Sequence, residues 1–337
     1  MKRNMKLWLE ELKLGKIRKP LPILSFPAVS LLGVSVRELI SSEDLQVSGM
    51  KAVADRTDAA AAVSFMDLSL EAECFGAKIT VSDDEVPTIK EPVIADEDGI
   101  NALEIPKVGS GRTNIYINAI KRAGDLITDR PVLAGMIGPF SLAARLFDMT
   151  EIMMLCFDDP DTVNVLLDKV TAFLIDYARA YKEAGANGIV MAEPVAGLLS
   201  PTLEAEFSGP FVKRIIDAVQ DDSFIVIYHN CGGNVHLMLP SITSTGAAAF
   251  HFGNAIDLEH DILTKLDRNT VVMGNVDPAG VLKLGTPDSV RTATLELLER
   301  CSEYEGFVLS SGCDIPPMTP WENLDAFFGA AKEFYEG

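Results

Sequence analysis

Short, almost wholly apolar runs recur along this chain, separated by longer stretches in which apolar residues return at three- and four-residue spacing. The short runs occupy 22–27 (PILSFP), 61–67 (AAVSFMD), 132–138 (VLAGMIG), 188–193 (GIVMAE), 224–229 (FIVIYH), 247–252 (AAAFHF), 271–275 (VVMGN) and 306–311 (GFVLSS). Continuous apolar character, rather than alternation, is what a parallel strand covered on its outer face requires. Strand alternating with helix in this way predicts an α/β fold, a (β/α)8 TIM barrel, with residues 1–337 forming a single domain.

The intervening segments carry helix start signals. Ser200-Pro201 and Thr286-Pro287 each set a capping hydroxyl before proline at the first helical position, and Thr319-Pro320-Trp321-Glu322 adds the glutamate of a capping box. The segment 162–184 places Val165, Leu166, Phe173, Leu174 and Tyr177 at helical spacing and ends at Gly185. An insertion between the second and third predicted strands breaks the repeat. Its part 78–95, with Asp83-Asp84-Glu85, Pro87 and Pro92, reads as an excursion over the barrel mouth, and loops of that length usually serve function. The amphipathic stretch 4–14 reads as a cap on the barrel rather than a membrane-surface helix.

Composition narrows the class. A chain of 337 residues, 48% hydrophobic, can bury a large core. A net charge of −20 argues against nucleic acid and anionic membranes as partners, since both need a cationic footprint. No apolar run is long enough to span a bilayer and the start lacks a signal-peptide pattern, so a cytoplasmic protein is expected. Five scattered cysteines do not suggest a disulfide framework. Phosphate loops, dinucleotide fingerprints and nucleophile elbows are missing from the sequence.

In a barrel of this kind the chemistry sits at the C-terminal strand ends. Those ends carry Asp67, Glu193, His229 with Cys231, His251, Asn275 with Asp277, and Cys313 with Asp314. His229 and Cys231 stand two apart and face the same way if the strand continues. One imidazole and two thiolates suit zinc, and three protein ligands leave a fourth position free for chemistry. Cys313 comes from the far side of the barrel, so the three can meet only near the axis. Duller readings remain for the others: His251 as packing or a substrate hydrogen bond, Asp277 as a turn former, Glu193 as a solvated rim carboxylate. Cys74, Cys156 and Cys301 read as small hydrophobes.

With these residues located, the chain resembles the uroporphyrinogen decarboxylase superfamily over nearly its whole length. Gly274-Asn275-Val276-Asp277-Pro278 looks like a segment shared across that superfamily. The His-x-Cys with a distant Cys, and the run Ser-Gly-Cys-Asp-Ile-Pro-Pro-Met-Thr-Pro, are similar to the zinc motif of the methylcobalamin:coenzyme M methyltransferase branch. That resemblance implies that His229, Cys231 and Cys313 bind Zn2+ and carry catalysis. The methyl group would come from methylcobalamin on a separate corrinoid protein and pass to a thiol such as coenzyme M. Glu193 is expected at the fourth zinc position when acceptor is absent, with Asp67 second, and His251, Asn275 and Asp277 are expected to line the acceptor pocket. Rival readings are a tetrahydrofolate acceptor, a methoxylated donor, a zinc hydrolase, and a binding module without turnover. Members that decarboxylate uroporphyrinogen carry paired arginines just after the first strand. Here Arg37 is the only arginine nearby, which argues against that polyanionic substrate.

Overall fold

The computed structural model describes residues 3–15 and 18–336. Its strands are β1 (Ala62–Val63), β2 (Ile79–Thr80), β3 (Thr88–Ile89), β4 (Val132–Ile137), β5 (Gly188–Ala192), β6 (Ile225–Asn230), β7 (Ala249–Phe252), β8 (Val272–Val276) and β9 (Phe307–Ser311). Seven of them form one parallel sheet in the order β1-β4-β5-β6-β7-β8-β9, and β2 with β3 makes a separate antiparallel hairpin.

The run expected as the first strand does not join this ladder as a strand. Pro20 and Pro22 have no N–H to donate, which removes the bonds a strand would need there. The segment nevertheless fills the eighth place and closes the ring. Leu21 N donates to Leu309 O and Ala60 N donates to Pro20 O, both at 2.8 Å. Two hydroxyls from β9 supply the remainder: Ser310 Oγ donates to Leu21 O at 2.7 Å, and Ser311 Oγ accepts from Ile23 N at 3.1 Å. From residue 28 the chain is already helical, in Ala28–Leu32.

Every strand residue of the sheet except Asn275 is buried, yet each strand still alternates between two apolar environments. Val63, Leu133, Val190, Ile225, Ile227, Ala249, Met273 and Val308 fill the barrel interior. Their neighbours Ala62, Val132, Ala134, Ile189, Met191, Val226, Tyr228, Phe250, Val272 and Leu309 pack outward against the helices. The helix Met5–Lys13, capped by Asn4, seals the base. Met5, Trp8, Leu9 and Leu12 join the interior cluster, and Met5 N donates to Asp222 O at 2.7 Å.

Helix starts at Pro201 and Pro287 follow the sequence signals, with Ser200 and Thr286 as capping acceptors. The capping box expected at Thr319 is not made. Thr319 N donates into a turn closed by Pro316 O, its hydroxyl is buried without a partner, and the helix Trp321–Glu336 begins beyond it. The insertion between the second and third predicted strands contains the β2–β3 hairpin and is clasped from several sides. Arg37 pairs with Asp83 at 2.9 Å, Lys283 pairs with Glu85 at 3.1 Å, and Val93 N and Ile94 N both donate to Leu146 O. No described helix is long and apolar enough to cross a membrane.

Beneath the rim, Glu71 clips the helix Leu70–Cys74 to the end of β4 by accepting from Ile137 N at 3.0 Å. Its other oxygen is buried without a partner, and burial pushes the carboxyl up to about 7. A group raised in the fold above its unfolded value of about 4.3 holds a proton that the unfolded chain releases. Its contribution is therefore complete below that value and is lost as pH rises through 7. Glu71→Gln keeps the acceptor and removes the titration. Urea midpoints at pH 5 and pH 8 should therefore differ less in the variant than in the native protein, by at most about 3 kcal/mol in unfolding free energy. Equal losses would mean that Glu71 is ionised in the fold.

Candidate metal centre

On β6, Ile225 and Ile227 face the barrel interior, so His229 two residues on does the same, at 1% exposure. Cys231 follows on the loop beyond. That loop is confined by close backbone approaches that only glycine permits. A Cβ on Gly253 would lie 2.6 Å from Cys231 Cα, and one on Gly197 would lie 2.7 Å from Gly232 Cα. Cys313 reaches the same point because Gly312 ends β9 and bends away from strand alternation, its N–H donating to Val276 O. One donor atom from each of His229, Cys231 and Cys313 lies within 4.8 Å of the others, and Cys313 Sγ is 3.4 Å from His229 Nε2.

The other nitrogen of His229 is fixed by a chain of bonds whose direction is determined at its far end. Leu21 O can only accept, so Ser310 Oγ donates its proton there. Ser310 Oγ therefore accepts from His251 Nε2, at 2.8 Å. Burial, and then the neighbouring His229, hold His251 well below the ordinary histidine range, so it is neutral and its Nδ1 is a bare acceptor. His229 Nδ1 must then be the donor, to His251 Nδ1 at 2.8 Å and with His251 O as a second acceptor at 3.3 Å. The result is a His229 protonated on Nδ1, with the Nε2 lone pair free toward the two thiols. Register explains the proximity, because His229 and His251 are direct partners on adjacent strands and their ring centroids are 4.6 Å apart.

The thiols are unequal. A hydrogen bond from Cys313 draws Cys231 well below the ordinary thiol range, and Cys313 moves upward in response. One imidazole lone pair and two thiols, one already inclined to be thiolate, form a donor set that could hold a borderline-soft metal ion.

The remaining rim residues serve other purposes. Glu193, expected at the fourth metal position, follows Ile189 and Met191 on the outward parity of β5. Its carboxylate accepts from Phe140 N (2.8 Å), Ser141 N (2.9 Å) and Ser141 Oγ (2.6 Å), at the N-terminus of the helix Pro139–Phe147, where the helix dipole favours negative charge. Asp67, the second choice, accepts from Ser69 N and Ser69 Oγ on one oxygen. Its other oxygen accepts from Arg112 at 2.5 Å and Tyr116 Oη at 3.1 Å. Asn275 donates to Gly253 O and Ile256 O, and Asp277 caps the next turn through Ala279 N and Gly280 N. His251 belongs to the chain behind His229. None of these five lines the cavity into which the three donors open.

That cavity, about 310 Å3, has a largely apolar wall that includes Met66, Leu68, Ala192, Pro194 and Pro316. Val86, Pro87 and Thr88 of the insertion form part of it, in keeping with an excursion over the mouth. Three further ionisable residues reach it, Glu85, Asp314 and Arg145. Arg145 escaped the sequence reading. Its signal was a single charge in the otherwise apolar and neutral helix Pro139–Phe147, whose other residues are all buried.

A closed parallel barrel with its chemistry at the C-terminal strand ends, around a thiol-rich donor set, defines a (β/α)8-barrel enzyme with a candidate metal centre. The chain belongs to the family described as Uroporphyrinogen decarboxylase (URO-D), whose model matches residues 25–334. Within it, the chain is 30% identical over 274 residues to the methylcobamide:CoM methyltransferase MtbA of Methanosarcina acetivorans, covering 80% of this chain and 78% of that protein. It is 28% identical to the uroporphyrinogen decarboxylase of Coxiella burnetii, covering 81% and 77%. Among solved structures, a methyltransferase from Methanosarcina mazei shares the fold with a TM-score of 0.86 and 24% identity, over 98% of this chain and 99% of that one.

The bond order behind His229 makes a direct prediction. His251→Phe retains the bulk and removes the nearer acceptor of the Nδ1 proton, leaving only the backbone carbonyl at 3.3 Å. Added Zn2+ should bind about 10- to 100-fold more weakly, as measured by competition with a chromophoric chelator, while the far-UV spectrum is unchanged. Unaltered affinity would mean that the His229 tautomer is set elsewhere.

Proposed function

We propose that this protein transfers a methyl group from a corrinoid, presented as methylcobalamin by a partner protein, to a small thiol, with Zn2+ held by His229, Cys231 and Cys313. The observation that carries the reading is the meeting of those three donors in one apolar cavity at the barrel mouth, with the His229 lone pair free toward the thiols. The donor set fits zinc by its chemistry: one neutral imidazole, two thiols, and a cavity on the open side instead of a fourth protein ligand. Bound there, zinc would hold an incoming thiol as thiolate at neutral pH, whereas a free thiol with a pKa near 8.5 is mostly protonated.

The chain's own residues supply the remainder. Two cysteine sulfurs neutralise a divalent ion's charge, which suits a sulfur nucleophile better than activation of water. Met66, Leu68, Ala192 and the prolines keep water from the cavity. At about 310 Å3 the cavity takes a small acceptor but cannot enclose a corrin ring, so the methyl donor has to be offered at the mouth. Likeness to a methylcobamide:CoM methyltransferase supports the same donor and a thiol acceptor. The decarboxylase reading is weaker, because Arg37 is already engaged by Asp83 and by Val81 O at 2.6 Å.

Cys231→Ala and Cys313→Ala should each lose stoichiometric Zn2+ and methylcobalamin demethylation together, with melting temperature shifted by only a few degrees, because the barrel rests on apolar strands. Full activity in a zinc-free variant would move the chemistry elsewhere on the rim. The acceptor is tested by adding 2-mercaptoethanesulfonate, other thiols and tetrahydrofolate separately and following loss of methylcobalamin by absorbance. Demethylation is expected with thiols only, and demethylation with tetrahydrofolate alone would replace the thiol by the folate.

A further inference from the structure

Arg145 stands out as a charge without an assigned partner. It lies in the last turn of the helix Pro139–Phe147, between residues that are all buried. Among the described residues its Nε is buried without a hydrogen bond, and the charges that bear on it are Glu71 and Asp67, neither of them bonded to it. Asp67 is already neutralised by Arg112. Glu71 accepts from Ile137 N and is pushed by burial up to about 7, so near neutral pH much of it carries no charge. Burial works against the charge on Arg145 itself, yet no carboxylate has been brought up to offset it.

Arg145 opens onto the same cavity as His229, Cys231 and Cys313. Two other ionisable groups reach that wall. Glu85 is paired with Lys283, and Asp314 holds its Oδ1 buried without a hydrogen-bond partner. Among the described residues, Arg145 is therefore the one fixed cation on the cavity wall. A divalent ion with two cysteine thiolates would carry no net charge, which leaves the guanidinium as the positive group facing the cavity. Five donors in a rigid planar fork match an oxyanion such as a sulfonate or carboxylate.

We infer that Arg145 is the counter-ion for the anionic end of the acceptor, so that the cavity selects a short thiol ending in a sulfonate or carboxylate over a neutral thiol. This rests on the reading of the cavity as the methyl-acceptor site. The thiol end goes to the three donors and the oxyanion goes to the guanidinium. A cavity of about 310 Å3 leaves room for only a short chain between them. A folate, with its reacting nitrogen in a large ring system and its carboxylates far away, does not match these two ends.

The test compares 2-mercaptoethanesulfonate with 2-mercaptoethanol, which differ in the charged end. In the zinc-loaded native protein, kcat/KM for methylcobalamin demethylation should favour the sulfonate. In Arg145→Gln that preference should fall by about 100-fold, mainly through KM, and Arg145→Lys should restore part of it. The ratio is its own folding control, since a damaged fold lowers both thiols together. A preference within about threefold of native in Arg145→Gln would overturn the inference. A second readout needs no turnover: ethanesulfonate, which has no thiol, is titrated calorimetrically into metal-free native protein and into Arg145→Gln. Binding to the native protein alone supports the assignment. Equal binding, or none to either, overturns it. If native protein binds ethanesulfonate through Arg145 but no thiol accepts the methyl group, the proposed function fails while the anion site stands.

Discussion

The carbonyl oxygen of Leu21 can accept a hydrogen bond and cannot donate one, and the proton order at the centre of the barrel depends on that. From it the order runs through Ser310 and His251 to His229, and ends with a lone pair directed at two thiols. Each member of the chain is buried, so water cannot substitute for a missing partner and the order cannot be reversed without orphaning a group. Strand register makes it possible by setting His229 beside His251.

Electrostatics around the centre is arranged by separation. A strongly acidic protein engages several rim carboxylates away from the cavity, with Glu193 at a helix N-terminus, Asp67 beside Arg112 and Asp277 in a turn. Beside the three donors, Glu85 and Asp314, the largely apolar wall carries the guanidinium of Arg145, and the insertion is tied across the mouth by surface ion pairs. Such exposed pairs are individually weak and screened by salt.

Much of this was legible in the sequence, for identifiable reasons. Buried parallel strands require continuous apolar runs, and a His-x-Cys at the end of one keeps both side chains on one face, so the donors could be located. The rim carboxylates misled because position at a strand end says where a side chain starts and not where it points. For Glu193 the parity of Ile189 and Met191 already directed it outward. The first strand was marked by its apolarity, but two prolines deny it a ladder, and hydroxyls from β9 replace the missing bonds. Arg145 was hidden because helical periodicity treats a charge as the solvent side, while here the solvent side faces the cavity.

The segment 20–24 closes the barrel and also terminates the chain of bonds that orients His229. One end of that arrangement is made well before the other, β9 with Ser310 and Cys313. The complete donor set therefore cannot exist on a partly made chain. A metal ion bound by these donors would enter a finished barrel and take no part in nucleating it, the reverse of the order in small zinc domains whose folding waits for the ion.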